Sequence, residues 1–454
     1  MAADRRTLII AAVAMVALIA VGVASSALLT GSACDRLEPS PLELTADGTD
    51  LPTAVESAFS DVDEQRREEV ESQLRALEGE LGAISALVRA PGVSGLAATD
   101  LGVVATGAST VVVDAAASPT AIDTGNGAVV GDGSALYTLA LENPLTGQVD
   151  ALQPLATGTA EGEPLEGLTC QDTATVGTPL AFHLDAGGGE LALLRVDEDG
   201  EEPVLELRDP VDGRVWASRL ELAMAPAGVQ GERLTGGLGP EEVITGYRSD
   251  PSDVEVPALS GFDRDDGEAR WTLGRDQLGA ALSDGRPDQL EVITVGEELA
   301  LVAVQGREQD ASVDPEASEP ATEGPVTLVG IDPDDGQLRM VERLDADQRV
   351  SDAVVDGQRG WVAVSDDGRH ELLALGPDGV EARHTVELDD ARVARRDDGS
   401  VVVVGDQGVT SIREDGVDDL ASPLAVLDVL ATNGSVTLAV AGSGDQVLVV
   451  TYGG

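Results

Sequence analysis

The chain contains no lysine: all 28 basic residues among its 454 are arginines. That absence excludes a Walker-A lysine, a kinase-type lysine and any Schiff-base lysine for pyridoxal phosphate or aldol chemistry. Histidine occurs only as His183, His370 and His384, none at ligand spacing from another and none beside a cysteine cluster, so no zinc centre is expected. No Gly-x-Ser-x-Gly elbow is present, which leaves α/β-hydrolase chemistry without its nucleophile turn. Positive charge is scarce. Against 83 acidic residues it leaves a formal net charge of −55. A protein that grips DNA or RNA needs a basic footprint, so no nucleic-acid partner is expected. The acidity fits solubility, or a loose attraction for Ca²⁺, Mg²⁺ or basic peptides.

Two acidic turns, Asp263-Arg264-Asp265-Asp266-Gly267 and Asp332-Pro333-Asp334-Asp335-Gly336, resemble Ca²⁺ loops on first sight. An EF-hand loop puts its glycine at the sixth position and closes on a glutamate at the twelfth. Here glycine comes fifth and the closing glutamate is missing, so the motif reads as a turn. No cofactor is expected, with Ca²⁺ held only as a weak alternative. Acidic pairs of the glycosidase kind are too numerous for any one pair to be singled out.

The N-terminus reads as a membrane signal. Arg5 and Arg6 precede Thr7–Ala33, a stretch without a charge and long enough to span a bilayer, which takes about 20 residues. Arginine before the span and acidic bulk after it predict a single pass with the C-terminal body outside the cytoplasm. Cleavage near Ala24-Ser25-Ser26-Ala27 and lipidation of Cys34 after Gly31-Ser32-Ala33 are the alternatives, giving a secreted or a lipid-anchored body. Cys34 and Cys170 are the only cysteines. In an oxidising compartment they form either one disulfide or two isolated thiols.

Residues 1–34 thus form a cytoplasmic stub and transmembrane or signal-anchor helix, and residues 35–100 a linker with an amphipathic helical segment. Between Pro52 and Arg89 apolar residues recur every three or four positions: Val55, Phe59 and Val62, then Val70, Leu74, Leu77, Leu81, Ile84 and Leu87. The segment is a helix packed on the body, a helical hairpin packed on itself, or a short coiled coil, through which residues 52–89 would make a homo-oligomer.

From Leu101 to the end the pattern is β. Short apolar runs alternate with Gly, Asp and Pro, interrupted by an acidic insertion at 306–325 that predicts a mobile surface loop. Six stretches share one hairpin: an apolar strand, an acidic or glycine turn, and a second strand that often carries an aromatic or Met. They are Leu141–Leu152, Leu205–Trp216, Phe262–Trp271, Val329–Met340, Leu375–Val386 and Ile412–Leu424. Their turn glycines are Gly147, Gly213, Gly267, Gly336, Gly379 and Gly416, separated by 66, 54, 69, 43 and 37 residues. The last two spacings fit one four-stranded unit and the longer ones fit a unit with extended loops. Radial repetition of small sheets predicts a β-propeller over 101–454. A seventh unit would combine Gln446–Thr451 with Gly102–Asp114, which gives about seven blades, with six to eight compatible with the spacing.

The unit Asp209-Pro210-Val211-Asp212-Gly213…Trp216, with Asp332-Pro333-Asp334-Asp335-Gly336 and Asn143-Pro144-Leu145-Thr146-Gly147, resembles the repeat of the PQQ-like, quinoprotein-type β-propellers. The resemblance implies that the Asp/Thr-Gly pair makes the hairpin turn and that Trp216 and Trp271 pack between blades. The family's enzymes carry an adjacent Cys pair and hold Ca²⁺ with Glu and Asn beside a catalytic Asp. This chain has separated cysteines and three asparagines, Asn126, Asn143 and Asn433, so no catalytic residue carries over. A membrane-anchored, non-catalytic member is what remains: a propeller that binds or scaffolds a protein partner outside the cytoplasm. The alternative is a propeller enzyme of quinone-dependent or glycan-active type.

Overall fold

The computed structural model describes residues 50–99, the strands between 102 and 219 and, with short gaps, residues 234–453. The stretch Thr7–Ala33, Cys34, Gly147 and most of the acidic insertion lie outside the described residues. Among the described residues, no helix is long and apolar enough to cross a membrane.

Two helices open this part of the chain. Helix α1 (Leu51–Ala58) starts where the Asp50 carboxylate accepts the Thr53 amide at 3.0 Å. Helix α2 (Glu64–Leu81) starts where Asp63 accepts the Arg66 amide at 2.9 Å. Each cap satisfies an amide that has no partner inside its helix. The apolar stripe Val70, Leu74, Leu77 and Leu81 is buried. It shares one core with Val404, Val409, Leu438, Val450 and Tyr452, and the Tyr452 hydroxyl donates to the Leu74 carbonyl at 3.1 Å. The side chains that a coiled-coil seam would use are therefore buried within one chain. The helix is shorter than the predicted Pro52–Arg89: it stops at Gly82, and Ile84–Pro91 is a strand. Ile84 and Leu87 continue the helical spacing only by coincidence.

The rest of the described chain is eight four-stranded antiparallel sheets. Seven of them take four strands consecutive in the chain. In chain order, the first is Val93–Thr99, Gly102–Gly107, Ser109–Val113 and Thr120–Asp123, and the second runs from Ala128–Asp132 to Thr169–Cys170. The third runs from Pro179–His183 to Gly213–Arg219, the fourth from Leu234–Leu238 to Ala269–Gly274, and the fifth from Pro287–Val295 to Leu338–Arg343. The sixth runs from Arg349–Asp356 to Gly379–Val386 and the seventh from Arg392–Arg395 to Gly416–Ala421. The eighth joins Val426–Thr432, Ser435–Ala441 and Gln446–Tyr452 to Ile84–Pro91. Helix α3 (Arg275–Ala281) connects the fourth and fifth.

Eight sheets stand where the hairpin count predicts about seven units, and the reason is local. The expected composite of Gln446–Thr451 with Gly102–Asp114 is two sheets, because residues 84–99, assigned to the segment before the propeller, supply a strand to each. Ile84–Pro91 completes the eighth sheet by pairing with Gln446–Tyr452, and Val93–Thr99 opens the first by pairing with Gly102–Gly107.

Successive sheets meet through their first strands. Leu234–Leu238 lies against Pro287–Val295, Arg349–Asp356 against Arg392–Arg395, and Val426–Thr432 against Val93–Thr99. Three of these seams carry the same latch, a side-chain oxygen accepting a backbone amide of the next sheet. Thr235 Oγ1 accepts from Val292 at 2.8 Å, Asp352 from Val393 at 2.8 Å and Asp428 from Leu96 at 2.7 Å. The last joins the eighth sheet to the first. Burial is the leading cause that raises the Asp352 and Asp428 carboxyls above the ordinary aspartate value; the amides they accept and Arg392 pull the other way.

Truncating Asp428 to alanine strands the Leu96 amide, and chemical unfolding should show a loss of about 1–3 kcal/mol. The pH dependence follows from the direction of the shift. A carboxyl whose folded pKa lies above its unfolded value of about 4 stabilises the fold fully below that value, and the contribution is lost as pH rises through the raised pKa. Asp352→Asn and Asp428→Asn keep an acceptor for the amide but not the titration. Melting curves of the double variant should fall less steeply than the native ones as pH rises above about 4.

Candidate functional site

In a four-stranded meander the first and third turns lie at the same end of the sheet. In the fourth and fifth sheets those third turns are the predicted acidic hairpins. Asp263 donates its amide to Glu268 O while its carbonyl accepts the Gly267 amide; Asp332 does the same with Gln337 and Gly336. The Asp263 carboxylate also accepts the Asp265 amide at 2.8 Å, and Asp332 accepts that of Asp334 at 3.0 Å. Gly267 and Gly336 have φ of +73° and +70°, and the register shifts by one residue just beyond each turn. This is the tight-turn-plus-bulge geometry that calls for glycine.

Each of these turns receives a tryptophan from the sheet before it. Trp216, on the last strand of the third sheet, donates Nε1–H to the Arg264 carbonyl at 2.5 Å, and its ring lies over Gly267. Trp271, on the last strand of the fourth, donates to the Pro333 carbonyl, and its ring lies over Gly336. A Cβ at Gly267 would stand 2.5 Å from the Trp216 ring, and one at Gly336 would stand 2.7 Å from Trp271. The glycines therefore serve both the turn and the docking. Within its own sheet Trp271 lies across Gly261, where any side chain would collide with the indole. Both tryptophans are buried. The third, Trp361, is on the second strand of the sixth sheet with the Arg395 guanidinium 5.6 Å from its ring.

At the next junction the series breaks. Met340 takes the place of Trp271, lying across Gly330 as the indole lies across Gly261. The sixth sheet's turn is tightened to a direct Gly376–Gly379 pairing, and a Cβ at Gly379 would meet nothing within 4 Å. A cleft of about 410 Å³ lies there, with Met340 and Pro377 in its wall. The first turns of three consecutive sheets contribute Glu241, then Glu297 and Glu298, then Gln358, and the third turn of the fifth sheet contributes Asp332 and Asp334. Five carboxylates thus face one guanidinium, Arg339, which is held by Asp332. Carboxylates crowded along a walled cleft focus negative potential.

Behind Glu241, Glu242 is wholly buried. Arg270 reaches across to it, to Asp263 through Nε at 3.0 Å, and to Asp334 at 3.4 Å. Burial, then the approach of Asp334, pushes the Glu242 carboxyl up to about 7 against the pull of Arg270. The bond from Arg270 holds half-buried Asp263 below its usual value.

The predicted turn residues divide into classes. Gly267 and Gly336 dock a tryptophan; Gly379 turns without one; Gly416 opens its strand with open space beside it. Gly213 pairs with Asp209 at the start of its strand, and Cys170 ends the strand Thr169–Cys170, but the side-chain surroundings of both lie outside the described residues, as does any bridge to Cys34. His370 and His384 lie on neighbouring strands of the sixth sheet, away from the cleft. The glutamates of the cleft escape a search built on Asp-Gly hairpins. Their signal is a second repeat, Gly239-Pro240-Glu241-Glu242 and Gly296-Glu297-Glu298-Leu299, in which each glycine amide donates to the carbonyl three residues on.

No protein-family model matches the chain, and no curated protein matches it. Among solved structures it is similar to BamB from Moraxella catarrhalis, at 9% identity and TM-score 0.32 over 71% of this chain and 96% of that one. It is similar to the β-propeller domain of the Trilobed protease from Pyrococcus furiosus, at 9% identity and TM-score 0.41 over 73% and 98%. It is also similar to the Dos1 propeller, at 13% identity and TM-score 0.40 over 70% and 75%.

Trp271→Ala removes the ring that joins the fourth sheet to the fifth and leaves its space unfilled. Chemical denaturation should show a loss of about 3–5 kcal/mol, the range for a large aromatic deleted from a packed core.

Proposed function

We propose that this chain is a membrane-anchored, extracytoplasmic β-propeller of eight blades that binds a protein partner, with the acidic cleft beside Met340 as its docking site for a cationic segment. The cleft carries the reading. It lies where a tryptophan is replaced by methionine, and its wall holds five carboxylates against one arginine. Interior volume of this order takes one or two extended side chains, and arginine or lysine would bury an apolar stem against Met340 and Pro377 with its charge among the carboxylates. Anchoring is supported by the uncharged stretch Thr7–Ala33 behind Arg5 and Arg6. The ring of eight is supported by the mixed eighth sheet and by the Asp428 latch onto the first. A scaffold held at a membrane and offering a fixed anionic cleft would gather partners through charge first and shape second.

An arginine-rich peptide titrated onto the full chain should bind, and the affinity should fall steeply from low (~0.01 M) to high (~1 M) salt, where screening is nearly complete beyond contact distance. The paired substitution Glu297→Gln and Glu298→Gln should weaken binding by roughly tenfold, ~1.4 kcal/mol. Met340→Trp should close the cleft and abolish binding while the melting temperature holds or rises, because Gly330 leaves the indole the same room that Gly261 leaves Trp271. Peptide binding that is insensitive to both changes would place the partner surface elsewhere.

A further inference from the structure

At one edge of the cleft Glu241, Glu242 and Asp334 each bring a carboxylate oxygen within 4.8 Å of the others. Two come from the first turn of the fourth sheet and one from the third turn of the fifth, so the group straddles the junction that Trp271 closes. Acidic clusters are common on so acidic a surface. This one differs in its buried member. Glu242 is wholly buried; its Oε1 is taken by Arg270, and its Oε2 is buried with no hydrogen-bond donor among the described residues. Arg270 is engaged elsewhere as well: Nε and Nη2 are on Asp263, and Nη1 also reaches Asp334. A buried carboxylate oxygen left without a partner is costly, and a cation there relieves it together with the repulsion of Glu241 and Asp334.

The donor set is oxygen alone, with no imidazole or thiolate, which suits a hard cation. Oxygens around Ca²⁺ at about 2.4 Å lie no more than ~4.8 Å apart, and the cluster already fits inside that sphere. We propose that Glu241, Glu242 and Asp334 bind a divalent cation of the Ca²⁺ type, Glu242 through Oε2 from within and the two exposed carboxylates from without, water completing the shell. Ca²⁺ suits the site better than Mg²⁺, which demands a tighter octahedron at about 2.1 Å. With two of the three ligands exposed, the expected affinity is in the weak range of ~10⁻⁴–10⁻³ M. The cation would fasten the fourth and fifth sheets at the turn and the indole already there. The site goes beyond the partner reading: it requires no cationic partner, and either can fail while the other stands.

CaCl₂ titrated onto the full chain by calorimetry, with melting temperature read in parallel, tests the site. Expected are saturable binding, a melting temperature raised by several degrees, and at least tenfold weaker binding of MgCl₂. Asp334→Asn and Glu241→Gln lie at exposed positions outside the hydrophobic core. Without Ca²⁺ each should melt no lower than the native chain, since each removes a repelling charge, and each should lose at least tenfold in Ca²⁺ affinity; Glu242→Gln should lose binding altogether. Absence of saturable binding up to ~10 mM, well beyond the weakest range for such sites, would overturn the proposal. So would equal Ca²⁺ affinity in native chain and Asp334→Asn, which would put the cation elsewhere on the surface.

Discussion

A tryptophan on the last strand of one sheet, seated on the glycine turn of the next, is the contact on which the arrangement of the central sheets depends. It joins three requirements at a single point. The turn needs glycine for its positive φ, the ring needs the same glycine for space, and the indole N–H finds the turn's own carbonyl. Aromatics make up only 2% of the chain, and two of its three tryptophans are used in this way. When the device runs out, at Met340, the junction opens and an acidic cleft takes its place. Site and scaffold are thus two outcomes of one repeat.

The inner and outer edges of the sheets are held by different chemistry. Outside, large apolar rings dock on turns. Inside, small polar side chains reach across to the next sheet's amides, two of them aspartates whose burial works against their ionisation. The eighth sheet takes its fourth strand from residues some 350 positions earlier, and helices α1 and α2 cover the seventh and eighth sheets through Leu74, Leu77 and Tyr452. Pairing early residues with late ones in one sheet removes exposed strand edges that would otherwise invite association.

Much of the scaffold was legible in the residues. The turns at Gly267 and Gly336 follow from local pattern, because one hairpin contains its own turn chemistry, whereas the packing of Trp216 and Trp271 between sheets is what the repeat resemblance implies. The eighth sheet was not legible. Ile84–Pro91 continues the apolar spacing of the helix before it, and only its long-range pairing with Gln446–Tyr452 makes it a strand. The cleft was hidden for a related reason. Glu241, Glu297 and Glu298 are three among 83 acidic residues, and what separates them from the rest is a turn repeat brought alongside Asp334 by the stacking of sheets. Burial of Glu242, two residues from solvent-facing Pro240 in an acidic stretch, depends on Arg270 and on the neighbouring sheet, neither of which is local.

If junctions sealed by tryptophan are tight and the one at Met340 is open, backbone hydrogen exchange resolved along the chain reports it directly. The account predicts slow exchange for the amides of Asp263–Gly267, and for those of Asp332, Asp334, Asp335 and Gly336, at the two turns that receive an indole, and exchange at least tenfold faster for Gly376 and Gly379. Equal protection at all three turns would contradict it, for it would mean that methionine seals the junction as tryptophan does.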